Sequence, residues 1–387
     1  MSNELTLVAT CLFGLEKFVG EEIDALGYRR LSTMDGRVTF AGDLDAVARC
    51  NLWLRTAERL YIRIGGFHAE AFTELFDGCA ALPWEEWIGK DDAFPVKGHS
   101  IRSKLFSVSD CQSILKKAIC RRLEGKYGIR WFPETGTKYQ VEFFLFCDEV
   151  TLMIDTSGVP LHKRGYRPTA GDAPLRETLA AAMVRMARPR EDVLLWDPFC
   201  GSGTIPIEAA LLMTGTAPGL HRSFAAESFA AIPQDSFARA REEARCAVHQ
   251  TDFCAYASDI DPAVIDIAQS AVDRAGMGAR IRCFVRDART IETEGRRGTV
   301  VCNPPYGERM MDLRSAQALY RDIGKAWQSL GAWQIYVICS DETFEKWYGR
   351  RADKVRRLYN GMIRCNYYQF FRNKTAFHDK GGSRHAF

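Results

Sequence analysis

Apolar and polar positions along the first part of the chain predict short strands and amphipathic helices. Strand-like runs alternate with helical spacing at residues 5–11, 15–27, 44–54 and 57–67. Between the two helical stretches, Asp35-Gly36 separates two further strand-like segments and is a typical hairpin turn. The order βαββαβ predicts a ferredoxin-like unit, in which two helices cover one face of a small sheet.

The next stretch, up to about residue 155, predicts a second α+β unit. A helix leads to a short strand and a loop rich in Lys, Ser and Gly. A long basic helix follows, and Ser109 or Asp110 is its expected N-cap. Two strands then close the unit, joined by a tight turn at Asp148-Glu149.

From about residue 165, apolar strands alternate with longer helical segments. Residues 193–199 form a continuous apolar run, as expected for a central parallel strand that is buried on both faces. Four more strand candidates follow, and helical segments separate most of them, which predicts a doubly wound parallel sheet. Two further strand-like segments follow these candidates. They lie only a glycine turn apart, so we expect them to form an antiparallel pair. Segment 214–250 is polar and Ala-rich, without a strand signal.

The composition is that of a globular protein of two or three domains. Of the 387 residues, 47% are hydrophobic, and no apolar run reaches the roughly 18 residues that span a bilayer. The N-terminus carries Glu4 before its short apolar run and lacks a basic leader. The 13 cysteines include no C-x-x-C pair, which argues against a disulfide framework and a zinc site. We expect reduced thiols, a cytoplasmic location and no metal ion.

Positive charge is concentrated in patches, although the net charge is only +3. Lys and Arg cluster in segments 113–131, 161–168 and 350–357, and the first segment also contains aromatic residues. Such patches form an electrostatic footprint for nucleic acid, whereas a single patch is more often a solvated helix face. Charge therefore favours a nucleic-acid partner and leaves the solvated faces as the alternative.

Segment DPFCGSGT, residues 197–204, follows the first central strand and opens a helix. Gly201 and Gly203 allow a sharp turn and leave room for a ligand against the backbone and the helix N-terminus. The segment lacks the third glycine of a dinucleotide fingerprint and the Gly-Lys-Ser/Thr of a phosphate loop. By itself it is equally compatible with a plain strand-to-helix turn.

Acidic residues end the next two strand candidates. Asp259 can accept both hydroxyls of a ribose, and Asp287 can accept the exocyclic amine of an adenine. Each alone is more often a helix cap. Ligands of doubly wound sheets bind beyond the carboxyl ends of the strands, so these acids and segment 197–204 together favour a cofactor with ribose and adenine.

Segment NPPY, residues 303–306, follows the fourth strand with an amide, two prolines and an aromatic ring. The side-chain oxygen of Asn303 and the carbonyl of Pro304 can accept hydrogen bonds from an NH2 group, and the prolines fix the backbone that carries them. Tyr306 offers a face for stacking a planar base. The alternative is a simple proline-rich strand exit. Combined with the other sites, the segment predicts Asn303, Pro304 and Tyr306 as catalytic residues.

In this order and spacing, DPFCGSGT, SDIDP, the acid of RDA and NPPYGER resemble the motifs of class I S-adenosylmethionine-dependent methyltransferases that act on base amines. The longer DPFCGSGTIPIEAA and NPPYGERM, preceded by HKRGYRPTAGDAPLRETLAAAM, resemble THUMP-domain RNA methyltransferases. Bacterial members of that group make N2-methylguanosine in large-subunit ribosomal RNA. VKGHSIRSKLFSVSDCQSILKKAI is similar to a THUMP domain. The resemblance covers essentially the whole chain, which looks like the shorter form of the family.

The resemblance implies a ferredoxin-like domain at 1–66, an α+β THUMP domain at 67–157 and a Rossmann-like class I methyltransferase domain with an antiparallel last strand at 158–387. It implies a cofactor site made of Asp197, Pro198, Cys200, Gly201, Gly203, Thr204, Asp259, Ile260, Asp287, Ala288 and Asn303. For the RNA surface, the predicted residues are Lys97, Arg102, Lys104, Lys117, Arg121, Arg164 and Arg167.

We therefore expect methyl transfer from S-adenosylmethionine to the N2 amine of a guanine in RNA. The expected partner is 23S ribosomal RNA or its precursor, without membrane or metal, and a monomer is favoured. N6-adenine methylation of DNA or RNA stays open, because NPPY serves both amines. A non-catalytic RNA-binding assembly factor is the alternative from a different functional class.

Overall fold

The computed structural model describes residues 4–167, 175–293, 295–306 and 312–371. Parts of two motifs named above, residues 168–174 and 307–311, lie outside the described residues. The chain packs as two compact units. The first comprises the chain up to Arg164 together with Ala217–Ala247, and the second comprises Gly165–Thr216 together with the chain from Val248.

The elements largely follow the predicted order. In chain order, the strands are β1 Leu5–Cys11, β2 Arg29–Met34, β3 Arg37–Gly42, β4 Ala57–His68, β5 Val96–Ile101, β6 Val141–Phe146, β7 Glu149–Asp155, β8 Leu194–Asp197, β9 Ala255–Asp259, β10 Ile281–Val285, β11 Gly298–Cys302, β12 Gln334–Cys339, β13 Lys354–Asn360 and β14 Ile363–Phe370. The helices are α1 Glu16–Ala25, α2 Leu44–Trp53, α3 Phe72–Ala80, α4 Val108–Tyr127, α5 Glu177–Ala187, α6 Thr204–Met213, α7 Ser236–Cys246, α8 Pro262–Arg274, α9 Leu313–Trp327 and α10 Phe344–Tyr348. Within these ranges, none of the helices combines the length and the apolar character needed to span a bilayer.

One sheet runs through the whole first unit, in the order β2-β3-β1-β4-β7-β6-β5. The βαββαβ order of the ferredoxin-like part is confirmed. Strand β4 has 12 residues. Its first half pairs with β1 and its second half with β7, so the two predicted α+β units share one continuous sheet. The predicted domain boundaries at 66/67 and 157/158 stay predictions.

Two local predictions in the first unit are wrong. Helix α4 begins at Val108 with Ser107 as its N-cap, so Ser109 and Asp110 lie inside its first turn. The β6–β7 turn consists of Cys147 and Asp148, which both adopt a positive φ, of 51° and 64°. Two consecutive positive φ angles are typical of the tight turns that match the twist of a hairpin. The turn therefore lies one residue earlier than predicted.

The segment between α6 and β9 contains helix α7, which packs against α2 in the first unit. Arg49 of α2 donates hydrogen bonds from Nε and one terminal nitrogen to both carboxylate oxygens of Glu243, at 2.8 and 2.7 Å. Phe224 and Phe237 stack with their ring centroids 5.7 Å apart and belong to the core of this unit. The polar, Ala-rich segment is therefore a structural part of the first unit.

The second unit contains a seven-stranded sheet in the order β10-β9-β8-β11-β12-β14-β13. Strands β8 to β12 are parallel, and β14 lies antiparallel between β12 and β13. The predicted doubly wound sheet with an antiparallel end is confirmed. The strand order reverses between β8 and β11, which is the position where open sheets of this kind bind ligands.

Candidate active site

The loop between β8 and α6 forms one wall of the candidate site. Asp197 ends β8, is 1% exposed and accepts a hydrogen bond from the backbone N–H of Phe199 at 3.1 Å. Burial, followed by the nearby charge of Asp259, raises the pKa of the Asp197 carboxyl well above its ordinary value. Gly201 and Gly203 adopt φ angles of 50° and 75°, in the left-handed region that favours glycine. A Cβ on Gly201 would meet no heavy atom within 4 Å, so the loop faces open space.

Asp259 lies at the end of the neighbouring strand β9, beside this loop. Its two carboxylate oxygens accept hydrogen bonds from the backbone N–H groups of Gly201 at 3.4 Å and Asp261 at 3.2 Å. A carboxylate offers about four acceptor positions, so it retains acceptors for ligand hydroxyls. The following residue, Ile260, is 64% exposed, which leaves an apolar surface available beside the carboxylate.

Asp287 follows β10 and has an arginine partner that the sequence reasoning missed. The side chain of Arg289 donates hydrogen bonds to both carboxylate oxygens of Asp287, with Nε 3.0 Å from each. These bonds hold the pKa of the Asp287 carboxyl below its ordinary value. The carbonyl of the next residue, Ala288, accepts a hydrogen bond from Trp327 Nε1 at 2.8 Å. An adenine amine would therefore share Asp287 with Arg289.

Asn303 follows β11 directly, across the switch point from Asp197. Its side-chain oxygen is buried and has no hydrogen-bond partner among the described residues. The next residue, Pro304, is buried as well. Buried polar atoms in native proteins normally have a partner, and an exception calls for a ligand, a water molecule or another explanation. The site thus contains an acceptor that suits an N–H donor.

The ring of Tyr306 is fixed by residues from the end of the sheet. Asn360 Nδ2 and Cys365 Sγ, which belong to β13 and β14, donate long hydrogen bonds to the Tyr306 hydroxyl, at 3.4 and 3.8 Å. Tyr320 of α9 donates its hydroxyl to the carbonyl of Pro305 at 2.8 Å. Burial raises the pKa of Tyr306, so its hydroxyl is protonated at neutral pH. None of these three supporting residues was predicted, because periodicity assigns them only to strands or a helix.

The basic residues of α4 differ in their surroundings. A groove beside this helix is lined by Phe76, Lys116, Lys117, Cys120, Arg121, Glu124 and Arg130. Arg121 and Arg130 both pair with Glu124, at 3.3 and 3.1 Å, yet their side chains remain 70% and 92% exposed. The groove therefore presents positive charge to the solvent.

Lys116 and Arg122 of the same helix have close partners within the first unit. Lys116 lies 3.5 Å above the centre of the Phe94 ring and donates a hydrogen bond to the Phe94 carbonyl at 3.1 Å. Arg122 forms two hydrogen bonds with the carboxylate of Glu85, at 2.8 and 2.6 Å. Only part of the basic helix is therefore available to a partner.

Strand β5 and the loop after it form the second exposed basic surface. Lys97 and Arg102 are exposed, whereas the ammonium group of Lys104 pairs with Glu70. The backbone N–H of Lys104 also donates to Asp148 at 2.7 Å, which ties the loop to the β6–β7 turn. An exposed ion pair of this type contributes little to stability, so the side chain of Lys104 remains exchangeable.

The predicted RNA contacts of Arg164 and Arg167 need correction. Arg164 is only 5% exposed and donates one of its terminal nitrogens to the carbonyl of Leu161 at 2.6 Å. Arg167 forms a largely buried ion pair with Glu177, and its side chain is 14% exposed. Because these guanidinium groups have partners within their own units, they offer little exposed surface to RNA. Across the described residues, no group of three or more His, Cys, Asp or Glu side chains could hold a metal ion.

Three family models match this chain. The RlmL ferredoxin-like domain matches residues 6–61, and the THUMP domain matches residues 69–155. The model UPF0020, the RMKL-like methyltransferase domain, matches residues 164–369. The last match alone covers more than half of the chain.

Curated proteins match over nearly the whole chain. "Putative RNA methyltransferase YpsC" of Bacillus subtilis (strain 168) is 42% identical over 95% of this chain and 96% of its own length. "Ribosomal RNA large subunit methyltransferase K/L" of Psychromonas ingrahamii is 32% identical over 91% of this chain. That alignment covers 48% of the Psychromonas protein, so the chain spans about half the length of the K/L relatives it matches.

Solved structures of similar proteins share the arrangement. "Crystal structure of a predicted N6-adenine-specific DNA methylase from Listeria monocytogenes str. 4b F2365" is 44% identical, with a TM-score of 0.90, over 96% of this chain and 97% of that one. "Crystal structure of SMU.472, a putative methyltransferase complexed with SAH" is 36% identical, with a TM-score of 0.90, over 97% of this chain and 100% of that one.

Proposed function

This chain belongs to the family that joins an RlmL ferredoxin-like domain and a THUMP domain to an RMKL-like methyltransferase domain, and on this basis we propose its reaction. It transfers a methyl group from S-adenosylmethionine to the exocyclic N2 amine of a guanine in large-subunit ribosomal RNA. The observation that carries the proposal is the buried side-chain oxygen of Asn303 at the switch point of the sheet, which has no hydrogen-bond partner among the described residues. The resemblance predicted from the motifs is confirmed at the level of the family.

The residues around the β8 loop fit S-adenosylmethionine. The open backbone at Gly201 leaves room for the cofactor near the start of α6. Asp259 retains acceptors for the ribose hydroxyls, and exposed Ile260 provides an apolar surface for the adenine. Asp287 accepts the adenine amine alongside Arg289. When bound, the cofactor supplies an electrophilic methyl carbon.

The protein's own contribution is to position the amine. Asn303 Oδ1 accepts one N–H of the guanine amine, and the carbonyl of Pro304 accepts the other. These two acceptors direct the nitrogen lone pair away from the ring system and favour the positive charge that develops on nitrogen. Tyr306, fixed by Asn360 and Cys365, stacks on the base after it leaves the RNA stack.

The first unit supplies the RNA surface. The groove lined by Lys117, Arg121 and Arg130 contacts phosphates. Lys97 of β5 and Arg102 of the following loop add donors for phosphates and 2′-hydroxyls. Fixed cations beside a groove suit a single-stranded or irregular RNA segment, since such RNA is bound through its backbone and its exposed bases. The K/L relatives, named for large-subunit ribosomal RNA, support this choice of substrate.

The experiment that tests the proposal is nucleoside mass spectrometry on ribosomal RNA. RNA from a strain without the gene is incubated with the purified protein and S-adenosylmethionine. We expect new N2-methylguanosine at one nucleotide of the large-subunit RNA. If incubation with the protein adds no methylated nucleoside to this RNA, the result would instead support the non-catalytic RNA-binding alternative.

N6-adenine methylation is the second candidate, because the Listeria structure is described as a predicted N6-adenine-specific DNA methylase. The acceptors at Asn303 and Pro304 suit an adenine amine equally well. The same mass-spectrometric measurement distinguishes the two, since N6-methyladenosine and N2-methylguanosine differ in mass. Parallel incubation with double-stranded DNA separates a DNA substrate from an RNA substrate.

A further inference from the structure

The β13–β14 hairpin extends past the carboxyl end of the parallel strands. Asn366 of β14 pairs with Cys339, the last residue of β12, whereas β14 begins three residues earlier at Ile363. At roughly 3.3 Å per residue, the hairpin reaches about 10 Å beyond β12. It does so at the edge of the sheet where Asn303 follows β11.

The hairpin tip, defined as residues 360–363, borders the proposed amine site. Asn360 in this tip lies 3.4 Å from the Tyr306 hydroxyl, and Cys365 just beyond it lies 3.8 Å from the same oxygen. Gly361 adopts a φ of 64°, which closes the tight turn. A base that stacks on Tyr306 would therefore have the hairpin tip beside it.

Met362 at this tip is 97% exposed. No other large apolar side chain in the described ranges is as exposed. Scattered exposed apolar side chains are common in proteins and need no explanation by themselves. The position of Met362, two residues from a side chain that contacts Tyr306, is what distinguishes it.

The strands on either side of Met362 are positively charged. Residues 354–370 contain four cations and no Asp or Glu. Arg357 is exposed on the edge strand β13. Arg364 pairs with Glu342 at 3.1 Å, and the two side chains are 49% and 67% exposed. An ion pair this exposed contributes little to stability. Arg364 can therefore leave Glu342 and bind a phosphate instead.

We propose that the hairpin tip holds the RNA open at the modified nucleotide. Met362 inserts into the base stack at the position that the target base leaves, while Arg357 and Arg364 contact the flanking phosphates. Apolar side chains, Met among them, are known to act as wedges between bases. A base that undergoes chemistry must leave its stack, and a wedge offsets part of that cost. This inference rests on the proposed methylation of RNA.

The test compares single-turnover methyl transfer by four proteins on ribosomal RNA from a strain without the gene. They are the wild type, Met362→Ala, Met362→Leu and Val355→Ala. Val355 is 44% exposed on the same hairpin but lies five residues before Asn360, so it controls for the loss of an exposed apolar side chain. Calorimetry with S-adenosylhomocysteine accompanies each variant and is expected to give unchanged affinity.

We expect Met362→Ala to lower the methyl-transfer rate by about tenfold or more, because no side chain then fills the position in the stack that the target base leaves. Met362→Leu keeps an apolar wedge and is expected to stay within about twofold of the wild type. Val355→Ala should match the wild type. If the wild type methylates RNA and Met362→Ala is equally fast, the wedge is wrong and the proposed function stands. If the wild type transfers no methyl group to RNA, the proposed function fails and the wedge fails with it.

Discussion

Asn303 keeps a buried oxygen without a partner among the described residues. Such an unmet acceptor costs a folded protein about 1–3 kcal/mol, so Asn303→Ala should not lower the unfolding temperature. It should lower the single-turnover methyl-transfer rate about a hundredfold or more, as expected for a preorganised polar group at a reacting centre. Asn303→Asp keeps an acceptor and should retain part of the rate. Rapid-quench measurement of the methyl group on RNA gives these rates.

Calorimetry provides the control for Asn303. We expect Asn303→Ala to bind S-adenosylhomocysteine nearly as well as the wild type, because its oxygen is proposed to bind the target amine. A rate within twofold of the wild type for this variant would remove Asn303 from the reaction.

Asp259 and Asp261 allow a matched comparison of two neighbouring acids. Losing a charge-assisted hydrogen bond to the ribose costs about 1.5–3 kcal/mol, so Asp259→Ala should weaken S-adenosylmethionine binding at least about tenfold. Asp261 caps α8 by accepting from the Ala263 backbone N–H at 2.9 Å. Asp261→Ala should therefore cost about 1 kcal/mol of stability and leave the affinity unchanged. Equal affinities of both variants in isothermal calorimetry would contradict the assignment of Asp259.

Sequence reasoning located the acids and the amide but not their neighbours. Asp259, Asp287 and Asn303 follow apolar strands, and the carboxyl ends of parallel strands share one edge. Arg289 and Asn360 were not predicted, because the spacing of apolar residues does not show which side chains at the end of a strand or in a turn contact the site. The burial of Arg164 was not predicted either, because a run of basic residues in a sequence indicates an exposed surface unless the packing around it is known.

Helix α4 shows how an element divides its charges between folding and binding. Lys117→Ala with Arg121→Ala and Arg130→Ala should weaken RNA binding, because these residues line an open groove. Each lost phosphate contact should reduce the log–log salt slope by about 0.7–0.9. Fluorescence anisotropy titrations at several salt concentrations measure both quantities.

A control for α4 comes from the same unit. Arg245 is 59% exposed on α7 and pairs with Glu242 at 3.1 Å, as Arg121 and Arg130 pair with Glu124. Arg245→Ala removes a comparable surface charge away from α4, and we expect nearly unchanged RNA affinity and salt slope. If the triple variant of the groove (Lys117, Arg121 and Arg130) also matches the wild type, RNA does not use this groove.

Most helices and strands were predictable, because their apolar residues recur at regular spacing and turn residues mark where they end. The apolar run before Asp197 and the turn at Asp35-Gly36 are examples. The join between the first two α+β units was not predictable. It exists because the first part of β4 pairs with β1 and the later part pairs with β7. A strand's partners depend on tertiary packing, whereas its existence depends on local pattern.

At the scale of the molecule, chain order and packing order differ. The segment Ala217–Ala247 follows the cofactor loop in sequence but completes the core of the first unit. Its alanines and charges gave no strand signal, and helix α7 presents only a narrow apolar face that includes Phe237 and Ala240. The sequence pattern therefore could not assign the segment to a unit.

Phe237 tests this assignment, because it is 5% exposed and stacks on Phe224 in the first unit. Phe237→Ala should cost about 3–5 kcal/mol, as for other buried aromatic truncations. Hydrogen exchange should then accelerate in α2, whose Arg49 binds the carboxylate of Glu243 on α7. The amides of strands β8 and β9 in the second unit should remain protected from hydrogen exchange. The affinity for S-adenosylhomocysteine should be unchanged. Val248→Ala, at a 45% exposed residue just after the segment, should change neither measurement. Faster exchange confined to β8 and β9 would show that the segment supports the cofactor site instead.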